Sequence, residues 1–251
     1  MKTLLLWYLL ARLTGSPLGA LAAIAVLWWL GDRFTFRLLP DPARAVARWR
    51  RRGQLRRSLS VNPHDRRARF ELAQLLLDAG RPRDAMEALR PNIQAGDDDV
   101  HTAFLWGAAL ARSGHREEAE RALAVAREAQ LDYRAGDVDL ELGRMWVASG
   151  ELERARDALT RLVALRPGTV EGRYHLVRAL AGLGDAEDAR RVREEAWREY
   201  ASLPRFQRRH ERRFAWRLEP WRPAVVLAVV VAGAIIASWW ALPSLLGEPG
   251  S

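Results

Sequence analysis

Apolar residues in the middle of the chain recur at helical spacing. Phe70, Leu72, Ala73, Leu76 and Leu77 fall on one face of a predicted helix. Gly80 follows, suited to the left-handed conformation that ends such a helix. Pro82 then suits the first position of a second helix, which carries Ala85, Met86 and Leu89. The same signals return along the chain. Gly80, Gly114, Gly150 and Gly184 each close an apolar pattern, at spacings of 34, 36 and 34 residues. Five residues after each stands an alanine: Ala85, Ala119, Ala155 and Ala189. Eight residues before each stands a large apolar residue, Leu72, Trp106, Leu142 or Leu176. The next position holds Ala73, Gly107, Gly143 or Val177. One helical pair cannot bury its own apolar face, so a period of this size predicts stacked pairs sharing a continuous core.

These positions resemble the tetratricopeptide repeat (TPR) family, which places a bulky residue, a small residue, a turn glycine and an alanine in this order. The fullest match is Leu142-Gly143, Trp146, Gly150, Ala155, Leu159 and Pro167. The first repeat departs at Asn92, where a small residue is usual, and the fourth at Arg193, where an apolar residue is usual. Outer repeats of a stack are commonly atypical. The resemblance covers residues 62–200 and implies an all-α fold, an α-solenoid of four helix-turn-helix repeats. It also implies a concave groove lined by the first helix of each repeat. Arg67, Phe70, Gln74, His101, Phe104, Arg144, Tyr174 and Arg178 would lie on or near that groove. Aromatics beside arginines there suit a protein partner presenting a peptide or a helix. The competing reading makes Phe70, Phe104 and Tyr174 packing residues between repeats. Family members that clamp a peptide's C-terminal carboxylate use groove lysine and asparagine. Lysine occurs only at Lys2, so that ligand is not expected.

Both ends read as membrane segments. Residues 13–31 carry no charge, and 224–247 form a longer uncharged run rich in Val, Ala and Ile. Each approaches or exceeds the ~20 residues that span a bilayer core. Trp28-Trp29 and Trp239-Trp240 stand at their ends, where interfacial aromatics belong. A signal peptide is the rival reading of the start, interrupted by Arg12. The predicted organisation is an anchor (1–31), a basic linker (32–61), the solenoid (62–200), a second basic segment (201–223), a transmembrane helix (224–247) and a tail (248–251). Gly233 and Ala237 are four apart, a spacing at which spans can pack into oligomers.

Charge gives an orientation. Residues 1–59 are net +9, residues 60–200 net −4 and residues 201–251 net +4. The basic excess flanks the two apolar runs, which under the positive-inside rule places the repeats in the cytoplasm of a bacterial inner-membrane protein. Arg48, Arg50, Arg51, Arg52, Arg56 and Arg57, with Arg208, Arg209, Arg212 and Arg213, are then expected against anionic lipid headgroups. The segments after Asp41-Pro42 and from Phe206 to Leu218 read as basic helices on the membrane surface; for the second, continuation of the stack is the alternative. The pI near 11 raises nucleic acid as a partner, but the regional count and the absence of a binding motif argue against it.

Little points to catalysis. Cysteine is absent, which excludes thiol chemistry and cysteine metal sites. The five histidines are dispersed, and no phosphate loop or nucleophile elbow is present. Glu171 and His175 share a helix face, as a surface pair would. Asp97-Asp98-Asp99 and Glu117-Glu118 fall at predicted helix starts, where acids favour the helix dipole. The expectation is a membrane-anchored scaffold, not an enzyme, needing no cofactor or metal. It would recruit a partner at the inner membrane face through its groove. Two alternatives stand beside it: an accessory subunit of a membrane enzyme, transporter or secretion complex acting through its spans, and a periplasm-facing assembly factor. The groove could also be filled by the chain's own Phe206–Leu218 segment.

Overall fold

The computed structural model describes residues 42–96, 99–129, 136–222, 224, 225 and 228. The chain divides into two units, 41–215 and 1–40 with 216–251. The first is all-helical. Its helices are α1 (Pro42–Val61), α2 (Arg66–Asp78), α3 (Pro82–Gln94), α4 (Val100–Ser113), α5 (Arg116–Ala129), α6 (Asp137–Ser149), α7 (Leu152–Leu165), α8 (Val170–Gly182), α9 (Ala186–Ser202) and α10 (Arg205–Leu218), the last reaching into the second unit.

Helices α2–α3, α4–α5, α6–α7 and α8–α9 form four hairpins at the predicted period. The glycine signal has a uniform physical basis. Gly80, Gly114, Gly150 and Gly184 have φ of 71°, 88°, 83° and 84°, which costs an L-residue strain and glycine almost none. The residue after each donates its N–H to a carbonyl five positions back: Arg81 to Leu76 (2.9 Å), His115 to Leu110 (3.0 Å), Glu151 to Trp146 (2.9 Å) and Asp185 to Leu180 (3.0 Å). This Schellman closure satisfies carbonyls that the helix end leaves bare and turns the chain back for the second helix. Three of the four first helices start on side-chain caps, and α6 starts at Gly136 without one. Asp65 accepts from the Ala68 N–H (2.9 Å), Asp99 from that of Thr102 (3.0 Å) and Thr169 from that of Gly172 (3.1 Å).

The alanines after the turns are buried, at 0% exposure for Ala85, Ala119 and Ala155 and 4% for Ala189. They let the helices of each pair approach. Gly107 and Gly143 do the same from the facing helix: a Cβ on Gly107 would lie 2.7 Å from Leu123 Cγ, and one on Gly143 2.5 Å from Leu159 Cγ. Stacking is continuous. First helices touch first helices (α2 with α4, α4 with α6, α6 with α8), and the second helices α3, α5 and α7 pack on the first helix of the next repeat.

Asn92, the departure of the first repeat, is fully buried but satisfied. Its amide donates to the Arg66 carbonyl (3.1 Å) and its oxygen accepts from Arg69 Nη1 (3.2 Å), tying α3 to the start of α2. Arg193 in the fourth repeat is half-buried on α9.

Within the basic segment 32–61, a helix begins at Pro42, as expected after Asp41-Pro42. This is α1, which buries Leu55 with Leu72, Ala73 and Leu76 and lays Leu59 beside them. The stack is thus extended by one helix before the first repeat.

The two-span architecture is corrected. No helix among the described residues is long and apolar enough to cross a membrane. The run 13–31, and 224–247 apart from residues 224, 225 and 228, lie outside the described residues, as do Gly233 and Ala237. The bacterial inner-membrane placement, with its two spans and cytoplasmic repeats, rested on those runs and falls with them. Of the second unit, the described part shows an Arg222–Glu219 ion pair at 2.6 Å.

Candidate functional site

The first helices α2, α4, α6 and α8 line a concave cavity of about 730 Å³. Its apolar surface comes from Phe70, Leu77, Phe104, Leu105, Ala108 and Met145. Six of the eight groove residues expected from the sequence line it: Phe70, Gln74, His101, Phe104, Arg144 and Arg178. Phe104 is also 8% exposed, so it packs between repeats while showing an edge to the cavity. Arg67 sits exposed on the first turn of α2, away from the lining. Tyr174 is turned to α10: its ring lies 5.6 Å from Phe214 and 5.0 Å from His175, with Arg178 at 6.0 Å.

A chain of charges crosses the cavity wall. Arg112 grips Glu141 with two bonds, Nε to Oε2 at 3.0 Å and Nη2 to Oε1 at 2.5 Å. A third, Nη1 to the Leu77 carbonyl at 3.3 Å, reaches back to α2. Arg144 Nη1 stands 3.3 Å from Glu141 Oε1 and 3.3 Å from Glu171 Oε1. Burial by itself would lower the Arg112 pKa; the bond to Glu141 and nearby carboxylates outweigh it, and the guanidinium is held above its ordinary value. Glu171 is shifted the other way. Desolvation pushes its carboxyl up, and Glu141 adds to that, against the pull of Arg144, Arg213 and Arg112. Arg144 is therefore committed to internal partners, which makes it a strut of the groove before it is a contact for a ligand.

Helix α10 closes the end of the groove at α8. Glu211 Oε2 accepts the Glu171 backbone N–H at 2.8 Å, acting as a distant cap on α8. Phe214, 5% exposed, packs on Tyr174 and lies 6.1 Å from His175. Arg213 from the same helix lines the cavity. The Phe206–Leu218 segment thus borders the fourth repeat, while Phe206 itself stays 64% exposed. Desolvation raises the Glu211 carboxyl, and the neighbouring Glu171 charge adds to it, against Arg213 and the backbone bonds it accepts.

The ten arginines expected at a membrane surface have separate places. Arg51 holds Glu71 of α2 with two bonds of 2.6 Å. Arg208 donates to the carbonyls of Ala201 (2.7 Å) and Leu203 (3.0 Å). Arg213 lines the groove. Arg48, Arg50, Arg56 and Arg57 are exposed on α1 with Arg52 half-buried, and Arg209 and Arg212 are half-buried on α10. Among the described residues no group of three His, Asp or Glu side chains is arranged to hold a metal ion.

The sequence reading missed Arg112, Glu141 and Glu171 as groove-forming residues. A signal existed. Glu71 and Glu141 occupy the same register, nine residues before the turn glycine, and each receives an arginine from the element stacked before it.

No family model matches this chain, and no curated protein matches it. Solved structures do. The structure of MamA 41-end from Desulfovibrio magneticus RS-1 aligns at 16% identity over 64% of this chain and 90% of that one, with a TM-score of 0.54. A second, MamA MSR-1 C2, aligns at 18% identity over 62% and 89%, with a TM-score of 0.51. A further MamA crystal structure aligns at 20% identity over 61% and 85%, with a TM-score of 0.50. The described chain has a TPR-like fold. At these identities the likeness carries the fold alone. Within that TPR-like fold the concave face is the groove just described, and α10 is the element that ends it.

Proposed function

We propose that this chain is a protein–protein interaction scaffold whose concave groove holds a peptide or a helix of its partner. The observation that supports the reading is the apolar strip of Phe70, Phe104, Leu105 and Met145, bordered by Gln74, His101 and Arg178 and framed by the Arg112–Glu141–Arg144 struts. Large apolar side chains of a partner gain most by leaving water in such a cleft, and the flanking polar groups set orientation. Because α10 borders the groove at α8, the stretch left for a partner runs along α2, α4 and α6 as far as Arg178 of α8.

The test is co-purification from native cells of the full chain, Phe70→Ala and Arg178→Glu, each checked for native helicity. A stoichiometric companion should accompany the parent and be depleted about tenfold by Phe70→Ala, the loss expected for truncating an anchor-contacting aromatic. A companion retained by both variants would remove the groove as the binding site.

A further inference from the structure

The arginines of α1 form a second surface that the groove does not use. Helix α1 carries seven arginines and no acidic residue over Pro42–Val61. Its inner side is committed to the stack through Leu55 and Leu59, and Arg51 is committed to Glu71. The other side holds a notch. Gly53 stands one helical turn from Trp49 and one from Arg57, and a Cβ built on it would meet no atom within 4 Å. Trp49, Arg50, Arg52, Gln54, Arg56, Arg57 and Gly53, with Arg81 from the α2–α3 turn, line a cavity of about 490 Å³. No residue of this cavity lines the groove. Trp49 is 67% exposed and Val46, one turn before it, 47%.

We infer that this notch is a docking surface for an acidic protein segment carrying one apolar anchor residue. Three observations select that partner. The rim holds five arginines; Arg81 is ion-paired with Asp84, and the four of α1, Arg50, Arg52, Arg56 and Arg57, have no acidic residue in their own helix, so a partner that supplies negative charge is favoured. Arg51 of α1 holds both oxygens of Glu71 at 2.6 Å, the fork geometry in which guanidinium recognises carboxylate. The apolar part of the notch is Trp49, beside a floor left bare by Gly53, and Val46 is exposed one turn before it, outside the lining. An aromatic centre with an arginine rim is the composition of protein interface hot spots. A phosphate backbone would use the arginines and leave the bare floor at Gly53 without a role. The body of the solenoid, net −4 over residues 60–200, repels an acidic segment and confines it to α1.

The test is fluorescence anisotropy on the full chain with a labelled glutamate-rich peptide containing one leucine. The same peptide with glycine for leucine, single-stranded DNA and anionic phospholipid vesicles are the comparison probes. The leucine peptide should bind, weaken as salt is raised, and lose about tenfold in affinity on Trp49→Ala. Gly53→Leu should abolish binding by filling the notch while raising the helical stability of α1. Phe70→Ala should leave binding unchanged, which separates this surface from the groove. The inference is overturned if the acidic peptide does not bind, if Trp49→Ala and Gly53→Leu both bind like the parent, or if DNA or vesicles bind more tightly than the peptide.

Discussion

Replacing Gly143 by alanine sets two physical effects against each other. Alanine is the better helix former by about 1 kcal/mol, so on propensity alone the variant should gain stability. The structure places the new Cβ 2.5 Å from Leu159 Cγ and 2.6 Å from its Cδ2. Carbon atoms pack at about 3.5–4.0 Å, so one side must move by about 1 Å. Leu159 has no room to yield: it is 0% exposed, and the atom struck is its branch carbon, not a free end. Overpacking of this kind costs about 1–3 kcal/mol, and the upper half of that range applies to a fixed neighbour. The net expectation is a loss of about 1–2 kcal/mol after the propensity gain. The control is Gly53→Ala in α1, where nothing lies within 4 Å and the same substitution should gain up to about 1 kcal/mol. Urea denaturation of both, followed by circular dichroism, should move the midpoints in opposite directions. The clash also makes a coupling. Leu159→Ala alone costs about 2–5 kcal/mol, but in its background Gly143→Ala should become neutral or favourable. If Gly143→Ala unfolds at a higher urea concentration than the parent, helix propensity governs this position and close approach does not.

Asn92→Ala strips the Arg66 carbonyl and Arg69 of a partner inside the first hairpin, and should cost about 1–3 kcal/mol by the same denaturation. Arg112→Ala leaves Glu141, its side chain 6% exposed, with Arg144 at 3.3 Å as its remaining cation and should cost about 1–3 kcal/mol, whereas Arg51→Ala breaks a solvated pair, 50% and 37% exposed, and should cost about 0–1 kcal/mol. The carboxyls at the α8–α10 contact give a pH dependence whose sign follows from their raised pKa values. A raised folded-state pKa means the folded chain binds the proton more tightly than the unfolded chain. The contribution is therefore complete below the unfolded value, near 4.5, and is lost as pH rises through the raised values. Arg144, Arg213 and Arg112 around Glu171 temper the effect without reversing it. Glu211→Gln keeps an oxygen for the Glu171 N–H and removes one charge, so its thermal midpoint at neutral pH should exceed the parent's and fall less between mildly acidic and neutral pH. A midpoint that falls as steeply as the parent's would place the dependence elsewhere.

What the sequence made legible was whatever is fixed by local backbone chemistry. The four glycines mark turns because only glycine takes a φ near +80° cheaply, and all four do so. The alanines mark close helix approach because a larger side chain there would collide. Both signals repeat, so the period carried the hairpins and most of the groove lining with it. Phe104 shows why groove and packing could not be separated in advance: on an inner helix one ring does both. The struts were hidden for a different reason. Arg112 and Glu141 are 29 residues apart and meet only once two first helices stack. The helix after Asp41-Pro42 was legible in the sequence, but its docking on the first repeat was not, because it rests on Leu55 and Leu59 among many arginines. The error at the two ends has its own cause. Uncharged length alone does not establish a spanning helix, and no described helix is one.

That correction changes what the arginines mean. With no spanning helix among the described residues, each arginine is read by what it touches. Arg112 and Arg144 answer carboxylates raised by stacking, and they give the groove a charged frame that turns no net charge toward a partner. Discrimination there must come from the shape around Phe70, Phe104 and Met145. The α1 arginines behave in the opposite way, because nothing acidic in their own helix answers them. A partner for that face must bring the charge with it. The two surfaces therefore select by different physics, one insensitive to salt and one sensitive to it. A single bound protein engaging both would show an affinity with a salt-dependent and a salt-independent part. Phe70→Ala would weaken the second, and replacing Arg50, Arg52, Arg56 and Arg57 by glutamine would remove the first.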